Sequence, residues 1–224
     1  MAYREPTNID ISKQITFDIE TIPISKEQLA PELNDLITRK LERAQKNNPG
    51  LDITAEQRKI MATDPLLGQI VCIGLYYPTS GIKVALTDSS EKIILEKFWK
   101  AISTFNGVFV GFNSVRFDAP FIIKRSMLHR ISATNLSFLQ YTRYDAYPPH
   151  FDVMLQLSGR EGFVSLKNAC AAFGIPSPKD GAIRADGVET AYYEGRIKEI
   201  AEYCLRDVVA THKLYEILIN YIAK

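Results

Sequence analysis

Two carboxylates lie inside an apolar strand pattern near the start of the chain, and this limits what can be built around them. Phe17-Asp18-Ile19-Glu20-Thr21 follows Ile15 and Thr16, precedes Ile22, and is halted by Pro23, which predicts a strand from about Gln14 to Thr21. Side chains alternate along a strand, so Asp18 and Glu20 share one face while Phe17, Ile19 and Thr21 share the other. On a solvent face such a pair needs no explanation. In an interior the two repel and require a cation, a shared proton or water. Which applies depends on whether other acids arrive at the same place.

The 224-residue chain, 46% apolar and 24% charged, can bury a sizeable core, and no linker or repeat divides it, so residues 1–224 are expected to form one domain. A net charge of +1 gives no general attraction to polyanions, but a local positive field around an acidic centre is compatible with it. Cys72, Cys170 and Cys204 are odd in number and lie far apart. This argues for buried free thiols over a disulfide framework or a thiolate zinc site. The polar N-terminus, with Arg4, Glu5, Asn8 and Asp10, lacks the apolar centre of a secretory signal, and no run is long enough to span a membrane. A cytoplasmic protein with no membrane partner is expected.

Residues 1–13 read as a polar arm. Residues 22–68 then form an insertion, mainly helical, with apolar spacing at Leu33, Leu36, Ile37, Leu41 and Ala44 and a second short helix that Thr54 would cap. The period changes from Gln69: Ile70–Tyr77 and Ile82–Leu86 flank Pro78-Thr79-Ser80-Gly81 as a hairpin. A helix from Ser90 to Ile102, a doubly buried strand at Val108–Phe112 and a helix from Pro120 to Leu128 follow. Ser165 caps a helix ended by Gly174, and Ile197–Tyr221 is the longest periodic segment. This order predicts an α/β layered domain with a mixed sheet.

Two further acids stand where a site would form. Asp118 follows the buried strand and the turn from Asn113 to Phe117, at the start of a helix. Ligands in open α/β sheets gather beyond strand ends, although a helix N-terminus also favours a carboxylate for its own sake. Asp207 lies in the last helix, four residues after Tyr203 and beside an apolar stripe through Ile200, Cys204, Val208 and Thr211. Asp18, Glu20, Asp118 and Asp207 brought together would require divalent cations. Four hard oxygen ligands suit Mg2+ or Mn2+, and the absence of a His or Cys cluster counts against zinc.

With these segments in view, the chain resembles the DEDD superfamily of 3'-to-5' exonucleases, and within it the predicted exonucleases related to the proofreading domain of family B DNA polymerases. Phe17–Thr21 is similar to the first motif, Asn113–Asp118 to the second in its N-x-x-x-F-D form, and Tyr203–Asp207 to the third. Phe151-Asp152-Val153 and the run from Ser165 to Pro176 are also familiar from the group. The position five before Asp207 is Glu202 rather than His, and Tyr203 stands four before it, which is similar to the tyrosine branch.

The resemblance implies an α/β ribonuclease H-like fold with a mixed five-stranded sheet flanked by helices. It implies two divalent cations, Mg2+ or Mn2+, held by Asp18, Glu20, Asp118 and Asp207, with Tyr203 orienting the attacking water. The substrate would be the 3' end of a single-stranded nucleic acid, DNA ahead of RNA, and replication or repair proteins would be the partners. Asn113, Arg116, Phe117, Lys124 and Arg125 around the second motif are candidate nucleic-acid contacts, and Arg39, Lys40, Arg43 and Lys46 on the insertion add positive charge. Tyr141, Tyr144 and Tyr147 are candidates for stacking on terminal bases. Two alternatives stand beside this reading: an oligoribonucleotide-trimming nuclease, and an inert nucleic-acid-binding or scaffolding subunit on the same fold. His212 is expected to be structural.

Overall fold

Five strands, in the order β3-β2-β1-β4-β5, make one mixed sheet in a computed structural model that describes residues 9–25, 27–142, 147–159, 161–176 and 183–222. The central strand is β1 (Gln14–Pro23), two residues longer than its sequence pattern suggests. It pairs antiparallel with β2 (Gly68–Tyr77), which carries β3 (Ile82–Leu86) on its outer side. On the opposite side β1 pairs in parallel with β4 (Val108–Gly111), and β4 with β5 (His150–Asp152). Tyr144 and most of the N-terminal arm lie outside the described residues. No helix among the described residues is long and apolar enough to cross a membrane.

The alternation along β1 separates two cores. Ile15, Phe17 and Ile19 face α3 (Glu91–Ile102) and α4 (Asp118–Leu128). Phe138 lies at the middle of that layer, with its ring 5.0 to 5.6 Å from those of Phe17, Phe98, Trp99 and Phe109. The single tryptophan is buried, and its indole N–H donates to Ser126 Oγ at 2.8 Å, so its polar atom is satisfied. The other face of the sheet receives α8 (Ile197–Ile222), whose stripe of Ile200, Cys204 and Val208 is fully buried. His212 is buried on the same helix, with Nδ1 2.9 Å from Thr16 Oγ1.

Gly74 sets how closely α8 approaches β2. A Cβ there would lie 2.8 Å from Cys204 Sγ and 3.3 Å from Val208 Cγ1, inside contact distance. Gly74→Ala is therefore expected to destabilise the protein by about 1 to 3 kcal/mol through overpacking. Adding Cys204→Ala should restore most of that loss, because it removes the clashing sulfur. Chemical denaturation of the single and double variants checks the coupling.

The insertion holds α1 (Asn34–Asn47) and α2 (Ile53–Thr63), preceded by a 3-10 turn at Pro31–Leu33. Its small core consists of Ile37, Met61 and Leu67. The cap of α2 is Asp52, which accepts the Ala55 N–H at 3.0 Å, and not Thr54; the helix begins earlier than the sequence pattern indicates because Asp52 takes the extended backbone of a capping residue. Three contacts fix the insertion to the domain. Thr21 Oγ1 donates to Ala62 O at 2.7 Å, and Arg125 Nη1 to Pro65 O at 3.2 Å. Arg58 grips Glu189 of α7 (Val188–Tyr193) through two bonds of 2.9 and 2.5 Å. After β5 come α5 (Val153–Ser158) and α6 (Leu166–Ala172), and Ser165 caps α6 by accepting the Asn168 N–H at 3.2 Å.

Candidate active site

The face of β1 turned toward α8 carries Asp18 and Glu20. The β1–β2 register shifts between Glu20 and Thr21, immediately after the pair, and such irregularities re-aim the side chains beside them. The Cys204 thiol lies 3.6 Å from the Asp18 carbonyl and 3.7 Å from Asp18 Oδ2. Ligand atoms of Asp18, Glu20 and Cys204 all lie within 4.8 Å of one another.

Asp118 comes from the other side of the sheet. The chain leaves β4, takes a left-handed conformation at Asn113 (φ 61°), and turns back through Arg116 N–H and Phe117 N–H, both donating to Asn113 O. Asp118 then opens α4 and is buried, and its Oδ1 accepts the Ile19 N–H at 3.0 Å. That amide stands between Asp18 and Glu20, so the three acids meet on one stretch of backbone. The third segment is α8. Tyr203 and Asp207 are both buried one turn apart, and the Tyr203 hydroxyl is hydrogen-bonded to Asp207.

The charges are felt across all three segments. Burial raises the Asp18 carboxyl well above the usual carboxylate range, and Asp118, Glu20 and Asp207 raise it further. Asp118 is pushed up to about 8, mainly by burial, against the opposing Ile19 hydrogen bond. The Tyr203 phenol is raised by burial and then by Glu20, Asp207 and Asp18. It therefore stays protonated at neutral pH in the metal-free protein and can donate a hydrogen bond. Hydrogen bonding with Cys72 and burial raise the Cys204 thiol, so without a metal it stays protonated.

This donor set fits divalent cations of the hard type. Oxygen atoms of Asp18 and Glu20 lie together, Asp118 is tied to the amide between them, and Asp207 is close enough to raise Asp18. Hard oxygen donors therefore dominate, and a counter-charge there would relieve the cost of their burial. The only soft donor among the grouped atoms is a protonated thiol.

The expected nucleic-acid contacts divide. Arg116 and Lys124 are exposed, and Asn113 and Phe117 are half-buried, with the Phe117 ring 5.5 Å from that of Phe121. Arg125 must be corrected: it is buried, and its guanidinium binds Glu91 by Nε at 2.9 Å and Nη2 at 2.5 Å. Glu91 also accepts the Ile70 N–H at 2.7 Å and lies 2.6 Å from His129 Nε2, so Arg125 serves to brace α3, α4 and the start of β2. On the insertion, Arg39, Arg43 and Lys46 are exposed, while Lys40 pairs with Asp64 at 2.8 Å.

Two neighbours of the site receive no role from the sequence, although the Phe151-Asp152-Val153 run is among those familiar from the exonuclease group. Cys204 follows the helix stripe and reads only as core. Asp152 accepts backbone N–H groups from Asn113, Val115 and Leu155. An Asp between a short apolar strand and a helix start is the available signal, but it points to a cap alone.

A family model described as "predicted 3'-5' exonuclease related to the exonuclease domain of PolB" matches residues 69–221. Among solved structures, the chain is similar to the family B DNA polymerase from the hyperthermophilic archaeon Pyrobaculum calidifontis, with 17% identity and a TM-score of 0.63. That match covers 98% of this chain and 26% of the polymerase, so the chain spans about a quarter of the polymerase's length. At this identity the likeness is one of fold, and it agrees with the ribonuclease H-like sheet expected from the motifs. No curated protein matches.

Proposed function

We propose, since the chain belongs to the family of predicted 3'-5' exonucleases related to the exonuclease domain of PolB, that it hydrolyses phosphodiester bonds from the 3' end of single-stranded nucleic acid with two divalent cations, DNA ahead of RNA. The observation that carries this reading is the meeting of Asp18, Glu20, Asp118 and Asp207, drawn from three distant segments, around the Ile19 amide and the Tyr203–Asp207 pair. An inert binding module has no physical need to concentrate four acids in one pocket.

In this reading Asp18, Glu20, Asp118 and Asp207 would hold the two cations. Bound Mg2+ or Mn2+ would acidify a water and offset charge at the leaving 3'-oxygen. The remaining work falls to the chain. Tyr203, a protonated phenol beside Asp207, orients the attacking water by hydrogen bonding. Asp118, tied to the β1 backbone, keeps the two halves of the acid set in register. Arg116 and Lys124, exposed around the second motif, meet substrate phosphates, and Phe117 lies where a terminal base would stack. Unpaired ends are favoured because they enter without unstacking a duplex.

The test is a time course on 5'-labelled single-stranded DNA and RNA with Mg2+, Mn2+ or chelator, using free and blocked 3' ends. A ladder shortening from the free 3' end, dependent on metal and absent with blocked ends, is expected. Internal cleavage of blocked substrate would overturn the exonuclease reading, and no cleavage in any metal would favour the binding module.

A further inference from the structure

Asp152 closes β5 and caps α5, a task that takes one acceptor oxygen. Its Oδ1 does accept the Leu155 N–H at 3.2 Å. The same oxygen also accepts the Asn113 N–H at 2.9 Å, and Oδ2 accepts the Val115 N–H at 3.0 Å. Both of those amides belong to the turn that leads from β4 to Asp118. The turn begins with Asn113 at φ 61°, a backbone region that costs an L-residue on the order of 1 kcal/mol and persists where surrounding bonds hold it. Asp152 is 3% exposed, so these charge-assisted bonds form with little competition from water.

The hold continues from the turn to the acid. Phe117 N–H donates to Asn113 O at 3.0 Å and Ala119 N–H to Ser114 O at 2.9 Å, one residue on each side of Asp118. Asp118 then meets the Ile19 amide. A simple cap could be Ser, as at α6, and would bring no charge. Asp152 instead places a second buried carboxylate close enough to add to the upward push on Asp118. That is a cost which capping α5 does not require.

We propose that Asp152 is a positioning residue: its carboxylate fixes the turn at Asn113 and Val115 and thereby the place of Asp118 against β1. The inference rests on the exonuclease reading above. Asp152→Ser keeps an acceptor for the Leu155 amide while removing both turn bonds. Ser165→Ala, which removes the cap of α6 far from these contacts in sequence, serves as the stability control.

For Asp152→Ser, kcat on single-stranded DNA is expected to fall about 10- to 100-fold and KM to rise as well, because Asp118 is displaced together with Arg116 and Phe117, which ride on the same turn. The Mn2+ concentration that gives half-maximal thermal stabilisation should rise, and amide exchange at Asn113 and Val115 should quicken. Ser165→Ala should lower the melting temperature and leave the other readouts unchanged. If Asp152→Ser matches Ser165→Ala in turnover and in Mn2+ midpoint, the inference is overturned. Asp118→Asn, run alongside, separates the two levels: activity surviving it would sink the exonuclease reading itself, whereas its loss with Asp152→Ser unaffected sinks only the positioning role. Should the Ser variant fail to fold, Asp152→Asn makes the same comparison, since it sets an NH2 group against one of the turn amides.

Discussion

Asp207→Asn is expected to lower the rate of 3'-end hydrolysis by about a thousandfold or more, which corresponds to several kcal/mol of lost transition-state stabilisation at a metal ligand. Tyr203→Phe, one turn away on the same helix, should cost less, about 10- to 100-fold, the scale of one hydrogen bond in a buried site. The ranking follows from the phenol's surroundings. Burial and three carboxylates hold its proton in place, so in the proposed mechanism its part is orientation of the water. Steady-state rates of the two variants, purified identically, decide the matter. A more damaging phenol change would show that Tyr203 handles the proton itself, and equal rates from Asp207→Asn and the parent would point to a contaminating nuclease.

Asp118→Asn is expected to kill activity while making the metal-free protein more stable above neutral pH. The folded carboxyl titrates at about 8, against an ordinary value of 3.8. A group raised on folding contributes stability that is fully present below its unfolded pKa and is lost as pH rises through the folded one. Chelator-treated parent should therefore weaken from about pH 4 to pH 8, by up to about 1.4 kcal/mol per unit, summing to several kcal/mol. The Asn variant keeps an oxygen for the Ile19 amide and loses Asp118's share of this slope, while the share of Asp18 remains. The melting-temperature gap in its favour should widen from pH 5 to pH 8, then close or reverse when saturating Mn2+ or Mg2+ stabilises the parent by mass action. A gap independent of both pH and metal would mean that the acids do not share one pocket.

Much of this site is legible in the sequence because alternation and helical spacing are local rules. Asp18 and Glu20 share a face by strand geometry, and Tyr203 and Asp207 by helix geometry, while Asp118 is marked by its place at a strand end. What those rules leave open is whether the three segments meet: the Ile19–Asp118 bond, 99 residues apart in sequence, joins the first two, and the Cys204–Asp18 contact, 186 residues apart, brings in the last helix. Arg125 misleads for the same reason. A cation on an amphipathic helix looks available until a partner as distant as Glu91 is seen to claim it. Neither the register shift opposite Glu20, where β2 carries Val71 as an extra residue, nor the close approach at Gly74 has a local signature, since both follow from how one element lies on another.

The strand order puts β1 at the centre of the sheet, with two strands on one side and two on the other. Edge strands open first in local fluctuations, while a middle strand exchanges its amides only when the whole domain unfolds. The carboxylate pair thus rides on the strand whose amides are expected to exchange most slowly. The edge strand β3 can fray and re-form without disturbing it, whereas opening of β5 would release Asp152 and the turn that Asp152 holds.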